Sequence, residues 1–162
     1  MIARIMDPQP GTEVYESCCG SAGLLIKSRL VLDEKLRAAN QKKPASLRLY
    51  GKESKAGTWA MANMNMIIHD LEGEIQIGDT FRKPKFSQGN RLQTFDRVVA
   101  NPMWNQTEFK EKDYDADVLD RFPKGAGYPG SKADWGWLQH ILASLKPTGR
   151  GARHRRRFAR LR

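Results

Sequence analysis

The sequence predicts a doubly wound α/β fold, a mostly parallel sheet with helices on both faces. Three observations carry that expectation. Short β-prone runs alternate with longer segments of helical period, in the order β-α-β-α-β-β-α. The run Phe95-Asp96-Arg97-Val98-Val99-Ala100 ends uniformly apolar, as a strand covered on both faces does. Short loops of small or turn-forming residues follow the strands, and ligands on such sheets sit outside the strands' carboxyl ends.

The elements follow in order. Thr12 to Glu16 alternates and is bounded by Pro10-Gly11 and by Ser17-Cys18-Cys19-Gly20-Ser21-Ala22-Gly23, which makes it a first strand entering a small-residue loop. Leu24, Leu25, Ile26, Leu30, Leu32 and Leu36 recur at roughly helical spacing, and Asn40 is an end signal. Leu47 to Gly51 is a second strand. Lys55 to Asp70 is a second helix, with Trp59, Met64, Ile67 and Ile68 expected on its inner face. Ile75 and Ile77 share one face of a third strand, a loop rich in charge runs from Phe81 to Thr94, and Phe95 to Ala100 is the fourth strand. The polar segment from Asn105 to Lys132 is expected to be a loop or lid. A third helix begins at Ser131, packs Trp135, Leu138, Ile141, Leu142 and Leu145, and stops at Pro147-Thr148-Gly149.

Composition narrows the class. A chain of 162 residues with 40% hydrophobic content suits one packed domain. No apolar run reaches the roughly 20 residues of a membrane span, and Met1-Ile2-Ala3-Arg4 lacks the apolar core of a secretory signal. The only cysteines, Cys18 and Cys19, are adjacent, which supports neither a disulfide framework nor a zinc site and points to a reducing cytoplasm. The net charge of +10 is concentrated at the end: seven of the 28 basic residues lie in 150–162, leaving 21 against 18 acids elsewhere.

Residues with chemistry cluster after strand ends. Gly20, Ser21, Ala22 and Gly23 form a loop whose backbone can approach an anion, or an ordinary strand-to-helix turn. Glu53 can accept from ribose hydroxyls or be a solvated acid. Asp79 can accept from an amine or cap its own turn. The Asn101 amide oxygen and the Pro102 carbonyl can together accept both hydrogens of an exocyclic amine beside the flat face of Trp104; the alternative is a turn with Trp104 in the core. The cysteines and Met61, Met64 and Met66 read as packing, and the three histidines have no ligand spacing.

Taken together, "DPQPGTEVYESCCGSAGLLI", "LYGKESKAGTWAMANMNMIIHD", "GDTF", "FDRVVANPMWN" and "ADWGWLQHILASLKPTGR" resemble, in order, the N6-adenine DNA methyltransferases, specifically the modification subunit of type I restriction-modification systems. The resemblance implies a Rossmann-like S-adenosylmethionine-dependent methyltransferase sheet. It implies that Glu16 with Gly20, Ser21 and Gly23 holds the methionine end of S-adenosylmethionine, Glu53 the ribose and Asp79 the adenine amine. It assigns catalysis to Asn101, Pro102 and Trp104, with no metal. It further implies DNA as substrate, a type I complex with specificity and restriction subunits, no membrane, and a cytoplasmic location. Ser17, Ala22 and Met103 depart from the family pattern; Ala22 fits if its φ is negative. The Arg-rich "RGARHRRRFARLR" is not expected to form a central strand. The expectation is therefore a sheet truncated after the fourth strand and following helix: a partial catalytic domain over 1–149 and a frameshifted or disordered tail over 150–162. The alternatives are an inactive cofactor-binding fragment and a protein glutamine-N5 methyltransferase.

Overall fold

The computed structural model of the chain describes residues 1–41, 45–103, 106–122 and 133–153. Four strands occupy the expected places: β1 (Glu13–Glu16), β2 (Arg48–Glu53), β3 (Gly73–Ile77) and, after the small hairpin β4 (Ser87–Gln88) and β5 (Arg91–Leu92), β6 (Phe95–Ala100). Between them lie α2 (Gly23–Ala38) and α3 (Ala56–Ile68). A short α1 (Ile2–Met6) precedes the sheet, α4 (Glu111–Asp115) interrupts the polar segment, and α5 (Asp134–Ala143) leads into β7 (Leu145–Arg153). The main sheet is five-stranded in the order β3-β2-β1-β6-β7, and every pairing is parallel.

Both faces are covered, which is why β6 buries Val98, Val99 and Ala100 in succession. On one face, Met6, Leu25, Leu32, Ala62 and Met66 from α1, α2 and α3 pack on Val14, Leu49, Ile75 and Val99. On the other, Ile141 of α5 packs with Tyr15, Phe86, Phe95, Val98 and Ala100. The Arg97 guanidinium closes α1: Nε donates to the Met6 carbonyl at 2.6 Å and Nη2 to the Asp7 carbonyl at 3.2 Å.

Three expectations change. The inner face of α3 carries Ala62 and Met66, with Trp59 half-buried and donating to the Ile75 carbonyl at 2.6 Å, while Met64, Ile67 and Ile68 are exposed. In α5 the inward residues are Trp137, His140 and Ile141, and Trp135 and Leu142 are exposed. Both helices are apolar nearly all round, so periodicity singles out no face.

The third change is at the end of the sheet, where the structure adds a strand beyond the fourth and its following helix. Pro147-Thr148-Gly149, expected to stop α5, lie inside β7, which runs on to Arg153. Glycine makes this possible: a Cβ on Gly149 would meet the Phe95 carbonyl at 3.0 Å, and one on Gly151 would meet Ile141 at 2.9 Å. The basic side chains find acids, Lys146 on Glu13 at 2.8 Å and Arg153 on Asp134 at 2.6 Å, with Arg150 3.7 Å from Asp7. β7 ends the sheet order, so its charges are not forced into the core.

Candidate functional site

β1 and β6 are the switch point, since the chain winds from β1 toward β3 on one side and from β6 to β7 on the other. Beyond their carboxyl ends lies a cleft of about 400 Å³. Gly20, Glu53, Asp79, Asn101 and Pro102 all line it, although they come from four different strand ends.

The loop after β1 sits at one end. Glu16 is 2% exposed, with the Leu25 backbone N–H in the first turn of α2 offsetting part of the cost of burying its charge. Its Oε2 has no partner among the described residues, nor has the buried Ser17 Oγ beside it. Burial, then the Glu53 charge, pushes the Glu16 carboxyl well above the usual carboxylate range. Gly20 has φ +53°, with nothing within 4 Å of where a Cβ would stand. Ser21 and Gly23, from the same loop, do not line the cleft: the Ser21 carbonyl accepts from Asn65 at 2.9 Å and Gly23 opens α2. Ala22 has φ +65°, against the negative φ that would have suited it, and is fully buried.

Glu53 ends β2. Its Oε2 accepts the Gly20 N–H at 3.1 Å, and its Oε1 accepts the Lys55 N–H at 2.9 Å. Asp79 follows β3 and caps its own turn, with Oδ1 accepting N–H from Phe81 at 2.8 Å and Arg82 at 2.9 Å. After β6, Asn101 and Met103 are exposed and Pro102 is buried, all at the cleft. Trp104 lies outside the described residues.

Sequence reasoning missed several residues of the wall. Phe81, Phe109 and Trp137 form an aromatic side, with ring centroids 4.6 Å apart for Phe81–Trp137 and 4.5 Å for Phe81–Phe109. The Trp137 indole donates to the Gln106 Oε1 at 2.9 Å, which joins the segment after Pro102 to α5. Thr80 Oγ1 donates to the Ser17 carbonyl at 2.6 Å and so ties the turn after β3 to the loop after β1. Lys52 lines the cleft from within β2, although only 1% exposed. The paired Trp135 and Trp137 were the available signal for the aromatic wall, but nothing local told which one faced inward.

Beneath the cleft a buried polar chain replaces apolar packing. Asp117 pairs with Arg121 at 2.7 Å, Arg121 Nη1 reaches His140 Nδ1 at 3.3 Å, and His140 Nε2 reaches the Tyr15 hydroxyl at 3.1 Å. Arginine only donates, so His140 Nδ1 accepts and Nε2 carries the proton, which it donates to Tyr15. Burial, reinforced by Arg121 and Lys52, holds His140 well below its ordinary value and hence neutral. Burial likewise raises the Cys18 and Cys19 thiols, consistent with packing rather than nucleophilic roles. No cluster of His, Cys, Asp or Glu suited to a metal occurs among the described residues. No helix among them is long and apolar enough to cross a membrane.

The cleft thus offers carboxylates at Glu53 and Asp79, after β2 and β3, and an amide with a carbonyl after β6, while Glu16 is buried at the end of β1 outside its lining. That set suits an elongated ligand with hydrogen-bond donors at intervals, seated beside a second group bearing an amine. A family model described as N-6 DNA Methylase matches residues 1–153. The "Type I restriction enzyme MjaVII methylase subunit" of Methanocaldococcus jannaschii is 29% identical over 150 residues, covering 88% of this chain and 24% of its own length. Among solved structures, the type I restriction-modification system methyltransferase subunit of Streptococcus thermophilus superposes with a TM-score of 0.73 at 28% identity, covering 94% of this chain and 31% of that one. The fold extends to a SAM-dependent methyltransferase from Geobacter sulfurreducens in complex with S-adenosyl-L-homocysteine, at TM-score 0.50 and 13% identity, covering 91% of this chain and 43% of that one. The chain spans about a quarter of the length of the curated relatives it matches.

Proposed function

The chain belongs to the N-6 DNA Methylase family, and from that membership we propose that it carries the cofactor-holding and amine-activating half of a type I DNA adenine-N6 methyltransferase subunit. The observation that carries the reading is the convergence of Glu53, Asp79, Asn101 and Pro102, from three strand ends, on one cleft of about 400 Å³. The proposed partners are DNA, a specificity subunit that reads its sequence and a restriction subunit, in the cytoplasm.

The site fits S-adenosylmethionine on its own features. Glu16 Oε2 and Ser17 Oγ are buried and have no partner among the described residues, so both can accept from an ammonium donor, and Gly20 has open space where a Cβ would stand. Glu16, with the Gly20, Ser21 and Gly23 loop, would hold the methionine end, Glu53 the ribose hydroxyls and Asp79 the adenine amine. When bound, the cofactor supplies an electrophilic methyl group.

The remaining chemistry belongs to the chain. An adenine amino nitrogen is a poor nucleophile because its lone pair is delocalised into the ring. Asn101 and the Pro102 carbonyl would accept its two hydrogens, favour a pyramidal nitrogen and stabilise the positive charge that grows there during attack. The proton then leaves to water, so no strong base is needed beforehand. The target base must leave the duplex to reach the cleft, and Trp104 would stack on it.

The test has two parts. Calorimetric titration of the chain with S-adenosylmethionine is expected to show binding, and a chain that binds none overturns the reading. In a complex reconstituted with a specificity subunit, Asn101→Ala is expected to keep cofactor affinity and lose methyl transfer by about 100-fold or more.

A further inference from the structure

The turn that brings Asp79 and Phe81 to the cleft is held from below by two buried cations. Lys52 Nζ donates to the Asp79 carbonyl at 2.8 Å and to the Lys83 carbonyl. Arg121 donates to the Thr80 carbonyl at 2.6 Å and to the Phe81 carbonyl at 2.7 Å. Four carbonyls of one turn therefore face inward, and the turn presents the Asp79 carboxylate and the Phe81 ring at the cleft.

The two cations are not equivalent. Arg121 is neutralised by Asp117 at 2.7 Å. Lys52, 1% exposed, makes no ion pair among the described residues. A buried ammonium without a counter-ion is costly, and packing alone would favour an apolar residue there. What its head group does hold is the backbone of the turn.

We propose that Lys52 is a positioning residue for the adenine end of the cofactor, acting through the Asp79–Lys83 turn. The inference rests on the cofactor reading above. Asp79 Oδ1 is committed to its own turn, so the direction in which the carboxylate faces a ligand follows the turn, and the turn follows Lys52. Phe81 is carried by the same backbone, so displacing the turn moves the aromatic wall as well.

Charge makes the latch sensitive to pH. Burial, with Arg121 and Lys85 opposing its charge and Asp79 favouring it, lowers the Lys52 amine to about 7. The Lys52 charge in turn helps to keep the buried His140 neutral. A charged ammonium grips a carbonyl more strongly than a neutral amine, so the turn is held best below neutrality and loosens above it.

Adenosine is the probe, because it lacks the methionine end and so leaves Glu16 out of the reading; S-adenosylhomocysteine is titrated in parallel. In Lys52→Met, adenosine affinity is expected to fall about tenfold at about pH 6.5, and Lys52→Gln, which keeps a donor, is expected to recover part of it. In the wild-type chain, adenosine affinity is expected to fall several-fold between about pH 6 and about pH 8.5, and the Met variant to lose that dependence. A purely structural lysine would lower thermal stability without giving the wild type this profile. Unchanged adenosine affinity in Lys52→Met, or a flat wild-type profile, overturns the proposal; if neither variant folds, the wild-type profile decides. A wild-type chain that does not bind S-adenosylhomocysteine at all would instead overturn the cofactor reading itself.

Discussion

The Glu53 carboxylate accepts the Gly20 backbone N–H at 3.1 Å, so the end of β2 holds the loop that follows β1. One side chain thereby fixes the loop expected to cradle one end of the cofactor while facing the cleft where the ribose would lie.

Glu53→Ala is expected to cost ligand affinity and some stability together. It releases the Gly20 and Lys55 N–H groups, with a stability loss of about 1 kcal/mol. S-adenosylhomocysteine binding should weaken at least about tenfold in calorimetry, because the proposed ribose acceptor and the loop anchor disappear at once. Glu53→Gln keeps an acceptor and should fall between. Wild-type affinity in the Ala variant would remove Glu53 from the binding site.

Glu16→Gln separates stability from binding. The raised Glu16 carboxyl stabilises the fold fully below its unfolded pKa, and that contribution is lost as pH rises through the folded value. Ligand-free stability should therefore decline as pH climbs above the ordinary carboxylate range. Gln cannot titrate, so it should flatten that slope and raise stability at neutral pH by on the order of 1 kcal/mol, while abolishing the proposed binding of the methionine end. Urea midpoints at acid and neutral pH, beside calorimetry, check both halves.

Ala22→Gly should stabilise the chain. Ala22 holds φ +65° in a fully buried position at the start of α2. A left-handed L-residue costs roughly 1–2 kcal/mol, which exceeds the chain entropy glycine adds to the unfolded state. A thermal midpoint unchanged or lowered would contradict this. The reverse holds at Gly136, where a Cβ would lie 2.8 Å from the Tyr114 ring, so Gly136→Ala should destabilise.

Asp117→Asn should be the most damaging of these changes to the fold. It leaves the Arg121 guanidinium, 2% exposed, without its counter-charge, at a cost of about 3–5 kcal/mol. Chemical denaturation measures it. Replacing Asp117 and Arg121 together by apolar residues should recover part of the loss, yet leave the Thr80 and Phe81 carbonyls unheld.

The sequence by itself determined the order and type of the main elements. It also placed Gly20, Glu53, Asp79 and Asn101-Pro102 at strand ends, because turn chemistry and hydrophobic period are local properties. Tertiary structure alone decided which faces of α3 and α5 turn inward, since both helices are apolar nearly all round and only the sheet chooses. It decided that Leu145–Arg153 forms a strand, because that depends on Asp7, Asp134 and β6, all distant in sequence. And it decided that Lys52 and Arg121 lie beneath the cleft holding the Asp79–Lys83 turn, because a buried cation is stable only where folding brings carbonyls or acids to it, and no local pattern encodes that meeting.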